Sequence, residues 1–479
     1  MLRSTRGVAL LTLALINVFT LVAGVTLVRM LPPRLAMLKP VQVASRPEAG
    51  ASPAMISAAS TASGGAMPTS SGLDSALSGV LSSSSLGSGV SAEVADQSGQ
   101  VLWSRSSSQM TAPASTEKVA TAVAALAVLG PGQRFRTKVV SGPGDSIVLV
   151  GGGDPTLAAG APPTSQYPQP ATLQDLAAST ARALKAAHRT QVALDYDTSL
   201  YTGPGLAPGW PESYVSTGDV TDITSLEVDQ GRVTTSDTPE DVDDPTNFRA
   251  RAIEPALEAA SSFAGFLNAD GITVIGEPSA STARAGATVL GSVSSPTVAA
   301  MVEQMLLESN NVIAENLARQ VALATGRPAS FAGGAAAETA ALARLGVGSG
   351  LQLVDGSGLS PQDQIAPATL VKLLVLASSP QHASLRTAIT GLPVAGFAGT
   401  LSEGQSVFGG IGGLARGVVR AKTGNLSTVA ALAGLVYDRN GRVLVFAFNA
   451  ASVPGAGELD SAADTLNDAA TALAACGCH

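Results

Sequence analysis

The chain predicts an α/β fold, a sheet flanked by helices and interrupted by a large insertion. Three observations carry this reading. Short β-rich runs occur near both ends, at Val90–Ser106 and Val429–Asn449. Apolar runs of helical length surround them, beginning near Ser115, Thr297, Val312 and Glu458. The middle, residues 156–295, has a different texture of short strands with Pro and Gly turns. The sheet and its helices are therefore expected from residues 73–155 and 296–475, as one discontinuous domain with residues 156–295 inserted.

The elements follow in order. After Arg3 and Arg6, the run Gly7–Val28 is 22 residues without a charge, long enough to cross a hydrocarbon core of about 30 Å as a helix. Residues 1–30 thus read as a single-pass anchor, in preference to a cleaved signal peptide, whose apolar core is shorter and ends at a small-x-small site. Cleavage with secretion is the alternative. Residues 31–72 are mostly Ala, Ser, Gly and Pro and read as a disordered tether, too poor in apolar side chains to offset the entropy of ordering. Gln97-Ser98-Gly99 marks a hairpin turn between two strand-like runs. The helix from about Ser115 to Leu129 is apolar nearly all round, so it belongs inside, and Gly130-Pro131 stops it. The acidic stretch Ser236–Pro245 reads as a solvated loop. Asp438–Gly441 joins two β-rich runs through an Asn-Gly turn, and a last helix, about Glu458–Ala475, can pack on that sheet. The tail pair Cys476 and Cys478 is too close to make a disulfide framework. It reads as a free or strained pair, with metal binding through Cys476, Cys478 and His479 as the lesser alternative.

A net charge of −8 and the lack of a Lys/Arg cluster exclude nucleic acid as a partner, since binding it requires displacing counterions from phosphates. Only three histidines and two cysteines are present, which leaves little for a His/Cys metal site, and no cofactor is expected.

Six lysines occur, and only Lys118 has a serine three residues before it. At i and i+3 of a helix, Ser115 and Lys118 lie on one face with Cβ atoms about 5–6 Å apart. A serine hydroxyl needs a base to become nucleophilic, and a buried lysine can serve once burial lowers its pKa. A shift of about three units corresponds to about 4 kcal/mol. Ser309-Asn310-Asn311 is the single Ser-x-Asn of the chain and Lys422-Thr423-Gly424 the single Lys-Thr-Gly. The three motifs fall at a buried helix start, a link between helices and the approach to a hairpin.

In these motifs the chain resembles the active-site-serine penicillin-binding proteins, and in particular the D-alanyl-D-alanine carboxypeptidase/endopeptidase family of the low-molecular-mass class C type. Leu149–Leu157 (LVGGGDPTL) and Asp355–Ser360 (DGSGLS) add to the likeness. The resemblance implies the penicillin-binding/serine β-lactamase-like transpeptidase fold, with an antiparallel sheet. It implies removal of the terminal D-Ala from peptidoglycan stem peptides through an acyl-enzyme, inhibition by β-lactams, DD-endopeptidase action as a further activity, and no metal. By position, Ser115 attacks the carbonyl, Lys118 takes its proton, and Ser309 relays a proton to the leaving D-Ala. Asn311 holds the substrate amide, and Lys422 and Thr423 engage the terminal carboxylate beside Gly424. The backbone N–H groups of Ser115 and Asn425 form the oxyanion hole. Asn425 replaces the threonine common at that place, which is expected to alter substrate preference more than chemistry. The resemblance puts the catalytic body on the cell-wall side of the membrane. Gly-Gly-Gly-Asp-Pro at 151–155 is expected to join the catalytic body to the insertion, and Asp355 and Ser357 to form a tight turn near the cleft.

Three rivals are weighed. A Ser-His-Asp hydrolase needs a histidine in the cleft, but His188 ends a helical run in the insertion and His382 lies in a loop. A class A β-lactamase needs a glutamate with an asparagine four positions on; Glu315, Glu338 and Glu403 have Arg319, Leu342 and Val407 there. A non-catalytic wall-binding protein has no use for a buried lysine beside a serine.

Overall fold

The computed structural model describes residues 66–233, 249–402 and 413–478. The proposed anchor, most of the tether, the acidic stretch at Ser236–Pro245, Glu403 and His479 lie outside the described residues.

In chain order the first elements are α1 (Ser70–Leu77), β1 (Val90–Asp96), β2 (Val101–Arg105) and α2 (Lys118–Val128). Next come β3 (Arg136–Ser141), β4 (Ser146–Val150), α3 (Leu173–Ala186), β5 (Gln191–Asp197), the short α4 (Ser213–Thr217) and α5 (Pro255–Ala269). They are followed by β6 (Thr273–Ala280), β7 (Val289–Ser294), α6 (Val298–Glu308), α7 (Asn311–Ala324), α8 (Phe331–Arg344), β8 (Leu351–Gln352) and β9 (Gln364–Ile365). The chain ends with α9 (Pro367–Ser378), α10 (Thr387–Thr390), β10 (Val419–Leu426), β11 (Val429–Tyr437), β12 (Val443–Ala450) and α11 (Leu459–Ala475).

One five-stranded antiparallel sheet runs β10-β11-β12-β1-β2. Its N- and C-terminal hairpins meet where β1 pairs with β12, with Val94 opposite Phe446 and Ala92 opposite Phe448. Alternation along β12 sorts the two faces. Leu444, Phe446 and Phe448 join Leu73 and Leu77 of α1 and Leu466 and Leu473 of α11, while Val445 and Ala447 join α2, α6, α7, α8 and α9 on the other side. The sheet is thus sandwiched between helices, with both faces dry. Burying a Phe of this kind contributes about 1.5–3 kcal/mol, and Phe446 and Phe448 stack on each other at 4.9 Å.

A second sheet runs β6-β5-β4-β3-β7. Here the strands disagree with the expected boundary at residue 155: β3 and β4, residues 136–150, pair with the insertion and not with the first sheet. The reason is connectivity. β4 to β5 and β5 to β6 are parallel neighbours, each joined by a helix that covers the sheet. β3 enters and β7 leaves side by side, Arg136 opposite Ser294, so the two crossings to the helical layer are adjacent. Ser295 N–H bonds Phe135 O at 2.9 Å and Val298 N–H bonds Gln133 O at 2.8 Å, closing the junction.

The body also starts earlier than Leu73. Thr69 caps α1 by accepting from Gly72 N–H at 3.1 Å, and its own N–H bonds Cys478 O at 2.7 Å, so the polar Thr-Ser-Ser run is a helix start and not tether. Cys476 and Cys478 lie with their sulfur atoms against each other at the end of the chain.

Candidate active site

The sequence around Ser115 does not form a plain helix start. Ala114 has φ +46°, and Ala114–Glu117 make a tight 3-10 turn before α2 opens at Lys118. A non-glycine residue at positive φ costs on the order of 1–3 kcal/mol and persists only where packing enforces it. Here the enforcement comes from the neighbours. A side chain on Gly424 of β10 would come within 2.9 Å of Pro113 O and 3.1 Å of Thr116 N, and one on Gly358 within 2.1 Å of Ala114 O. Both glycines are required by the closeness of the backbones on either side of the serine turn.

Lys118 is completely buried. Its Nζ lies 3.0 Å from Ser115 Oγ, 2.6 Å from Asn311 Oδ1 and 2.7 Å from Ser357 O. Burial brings its pKa down to about 8, against the pull of Asp355, Glu315 and Glu117, which favour the charged form. The three partners decide what a neutral Lys118 does. Asn311 Oδ1 and the Ser357 carbonyl can only accept, so they hold its two N–H bonds. The lone pair is left for Ser115 Oγ, the one partner with a proton to give.

Ser309 ends α6 in the left-handed conformation, φ +59°. Asn310 then caps α7 by accepting from Ile313 N–H at 3.1 Å. This corner separates the two ends of the motif. Asn311 turns its oxygen to Lys118 and donates Nδ2–H to Asp219 O of the insertion at 2.8 Å, while Ser309 Oγ accepts from Lys422 Nζ at 2.8 Å. Lys422 stands on the edge strand β10 opposite Ala433, hence on the face covered by α2 and α6–α9. It is also fully buried, and burial together with the charge of Lys118 holds its pKa well below the usual lysine range. Thr423 Oγ1 lies 2.9 Å from Thr400 Oγ1, and Asn425 is exposed.

The structure therefore gathers Ser115, Lys118 and Asn311 into one contact group and Ser309 and Lys422 into another, with Gly424 bringing the edge strand against the serine turn. His188 is exposed at the end of α3, and His382 lies in a short 3-10 stretch; Ser115 Oγ has Lys118 where a triad would need histidine. Glu315 and Glu338 are buried in the helical layer, 1% and 0% exposed.

Asp355–Ser360 is a buried loop. Asp355 Oδ1 accepts from Ser357 N–H (2.9 Å), Gly358 N–H (2.7 Å) and Ser357 Oγ (3.4 Å), and Oδ2 from Ser360 N–H and Trp210 Nε1–H (2.7 Å each). Ser357 contributes its carbonyl to the site, not its hydroxyl. The role of that carbonyl, of Asp219 O and of Trp210 has no signal in the sequence, because each depends on a segment arriving from elsewhere in the chain. Gly152 and Gly153 of the Gly-Gly-Gly-Asp-Pro run pack on α7, where Gln320 Nε2 donates to Gly152 O at 3.0 Å.

Carboxyl oxygens of Glu117, Asp355 and Asp363 lie within 4.8 Å of one another, close enough for a hard cation. The donor set fits one poorly, since both Asp355 oxygens are already occupied by N–H and O–H groups. Protons relieve the crowding: burial, with repulsion from Asp355, pushes Asp363 up to about 9, and burial raises Glu117 well above the usual carboxylate range.

A serine bound to a buried lysine, a Ser-Asn corner and a lysine on the edge strand of a helix-covered antiparallel sheet define the class of active-site-serine acyl-transfer enzymes of the penicillin-binding fold. The chain belongs to the D-Ala-D-Ala carboxypeptidase 3 (S13) family, whose model matches residues 73–250 and 239–472. It is similar to the carboxypeptidase DacB of Mycolicibacterium smegmatis, 37% identical over 86% of this chain and 85% of that one. A carboxypeptidase of Mycobacterium tuberculosis is 36% identical over 86% of each chain. In fold it matches penicillin binding protein 4 from Haemophilus influenzae with a TM-score of 0.66 at 22% identity, covering 84% of this chain and 98% of that one. The protein is thus a serine-type D-Ala-D-Ala carboxypeptidase, a hydrolase of cell-wall peptides.

Proposed function

We propose that Ser115 is the nucleophile and Lys118 its general base, carrying the carboxypeptidase reaction through an acyl-enzyme. The observation that carries this reading is the 3.0 Å contact between Ser115 Oγ and a buried Lys118 Nζ whose pKa is near 8. Ser115 Oγ bonds to the carbonyl carbon of the penultimate D-Ala as its proton passes to Lys118. The C–N bond then breaks as Lys118 gives that proton, relayed through Ser309, to the departing D-Ala nitrogen. Water attacks the resulting ester and gives a proton to the now neutral Lys118; the ester C–O bond breaks, Lys118 returns the proton to Ser115 Oγ, and the shortened peptide leaves. Asn311 holds the substrate amide, Lys422 and Thr423 meet the terminal carboxylate, and the N–H groups of Ser115 and Asn425 receive the oxyanion. A β-lactam acylates Ser115 because its amide is strained and its leaving nitrogen stays tethered. A peptide cross-link presents the same D-Ala carbonyl, so endopeptidase action uses the same groups.

Residues 66–135 and 295–478 make the catalytic unit in this reading, with 136–294 as the insertion. Gly7–Val28 anchors the chain with the catalytic unit on the cell-wall side; among the described residues no helix is long and apolar enough to cross a membrane.

The test is intact-mass analysis of the chain from residue 41 onward after exposure to penicillin, beside Ser115→Ala. One drug mass added to the parent and absent from the variant is the expected result. No adduct with the drug intact favours a binding role, and no adduct with the drug consumed favours a β-lactamase.

A further inference from the structure

The carbonyl of Ser357 is one of the two acceptors that turn Lys118 toward Ser115, and the peptide before it is held by residues outside every motif. Gly356 N–H points at the carboxyl of Glu315, 3.1 Å from each oxygen. Gly356 O accepts from Thr121 Oγ1 at 2.6 Å. No side chain fits at Gly356, where a Cβ would lie 2.8 Å from Ala318 Cβ and 3.1 Å from Ala314 O. This peptide is thus clamped between α2, which carries Lys118 and Thr121, and α7, which carries Asn311 and Glu315.

Asn311 and Glu315 are one turn apart on α7, on the same face. One helix therefore sets both acceptors of Lys118: Asn311 Oδ1 directly, and Ser357 O through Gly356. We propose that Glu315 is a positioning residue for the general base, acting through the Gly356–Ser357 backbone. The inference rests on Lys118 being the base.

Charge supports this geometry. Glu315 is surrounded by Lys118, Asp355, Glu117, Glu338, Asp363 and Arg319. Burial, reinforced by Asp355, lifts its carboxyl to about 8, so near neutral pH it is an uncharged acceptor. A carboxylate there would hold Lys118 in its charged, non-basic form. A buried N–H left without an acceptor is costly, which is why an apolar residue cannot replace it.

Four proteins decide it: the parent chain, Glu315→Gln, Glu315→Ala and Thr121→Val. Their penicillin acylation rates are measured from pH 6 to 10 beside thermal midpoints. Glu315→Gln keeps an oxygen for Gly356 N–H, so its rate is expected within about threefold of the parent. Glu315→Ala frees the peptide; misplacing a reacting group by an ångström costs on the order of 100-fold. Its acid limb should also move to lower pH, because charged Lys118 loses an acceptor. Thr121→Val should show the same displacement with a smaller loss of rate. A purely structural role would lower the midpoint and leave the limb in place. The proposal is overturned if Glu315→Ala keeps the parental rate and limb, or if Glu315→Gln is as slow as Glu315→Ala. Should Glu315→Ala not fold, a Thr121→Val protein with parental rate and limb overturns it. A parent chain that takes up no penicillin overturns the Ser115 reading, and this one with it.

Discussion

At the scale of single residues the proposed chemistry turns on how a lysine is kept neutral. Among the described residues Lys118 has no counter-ion in hydrogen-bond contact; its partners are a hydroxyl, an amide oxygen and a carbonyl. Below its pKa of about 8 the neutral fraction falls tenfold per pH unit. The acylation rate by penicillin should therefore rise with pH, about tenfold from 6 to 7, and level off above 8, as stopped-flow or timed mass measurements would show. Lys118→Ala should acylate about 100- to 10,000-fold more slowly, the range general-base catalysis contributes; a rate within tenfold of the parent would remove Lys118 from the mechanism. Ser115, Lys118, Ser309, Asn311 and Lys422 were legible in the sequence because their chemistry restricts residue type and spacing. The Ser357 carbonyl was not, because every residue carries a carbonyl and only the fold says which one faces the lysine.

Elements decide whether these groups meet. β10 runs so close to the serine turn that Gly424 tolerates no side chain. Gly424→Ala should push the edge strand outward and lower acylation, by about 100-fold for a shift of an ångström and less for a smaller one, while far-ultraviolet circular dichroism stays unchanged. On the opposite side, Trp210 Nε1 donates to Asp355 Oδ2 and its ring meets Phe331 edge-on at 5.2 Å. Trp210→Phe keeps the ring contact and loses the hydrogen bond. Leaving a buried acceptor short of its donor costs about 1–3 kcal/mol, so a lower midpoint is expected in calorimetry. Helices and hairpins were readable from period and turn residues: the Gln97–Gly99 turn, the Asp438–Gly441 turn and the apolar face of α7 all fall where expected. The partners of β3 and β4 were not readable, since an apolar strand fits the core of either sheet equally well.

For the whole molecule, the unusual feature is acid stored in its interior. Glu117, Glu315, Glu338 and Asp363 are all raised by burial, Glu315 to about 8 and Asp363 to about 9. Between the unfolded values near 4 and these folded values, the native state holds protons that the unfolded chain has released. Their contribution to stability is complete below about pH 4 and lost as pH rises toward 8 and 9, at up to about 1.4 kcal/mol per unit for each group. Lys118 acts oppositely between about 8 and 10.5, and Lys422, also held well below the usual lysine range, does so too, but the four carboxyls outnumber the two lysines. The thermal midpoint should thus be higher at pH 5.5 than at pH 8. Glu117→Gln, uncharged at both, should be more stable than the parent at pH 8 and alike at pH 5; calorimetry showing no pH-dependent difference would mean Glu117 stays ionised in the fold.

The sequence by itself determined the reaction class and the order of the three motifs, because Ser-x-x-Lys, Ser-x-Asn and Lys-Thr-Gly each occur once and in that order. It determined the helices and hairpins as well, which follow from local periodicity. Only the tertiary structure decided that β3 and β4 pair within the second sheet and that Asp219 O and Trp210 reach back to Asn311 and Asp355. It alone also placed Glu315 against Gly356, next to the Ser357 carbonyl that meets Lys118. The Asn311–Asp219 and Asp355–Trp210 contacts join residues 92 and 145 positions apart, and Glu315 meets Gly356 across 41; backbone atoms and buried carboxyls are interchangeable in sequence and distinguished only by which surfaces pack together.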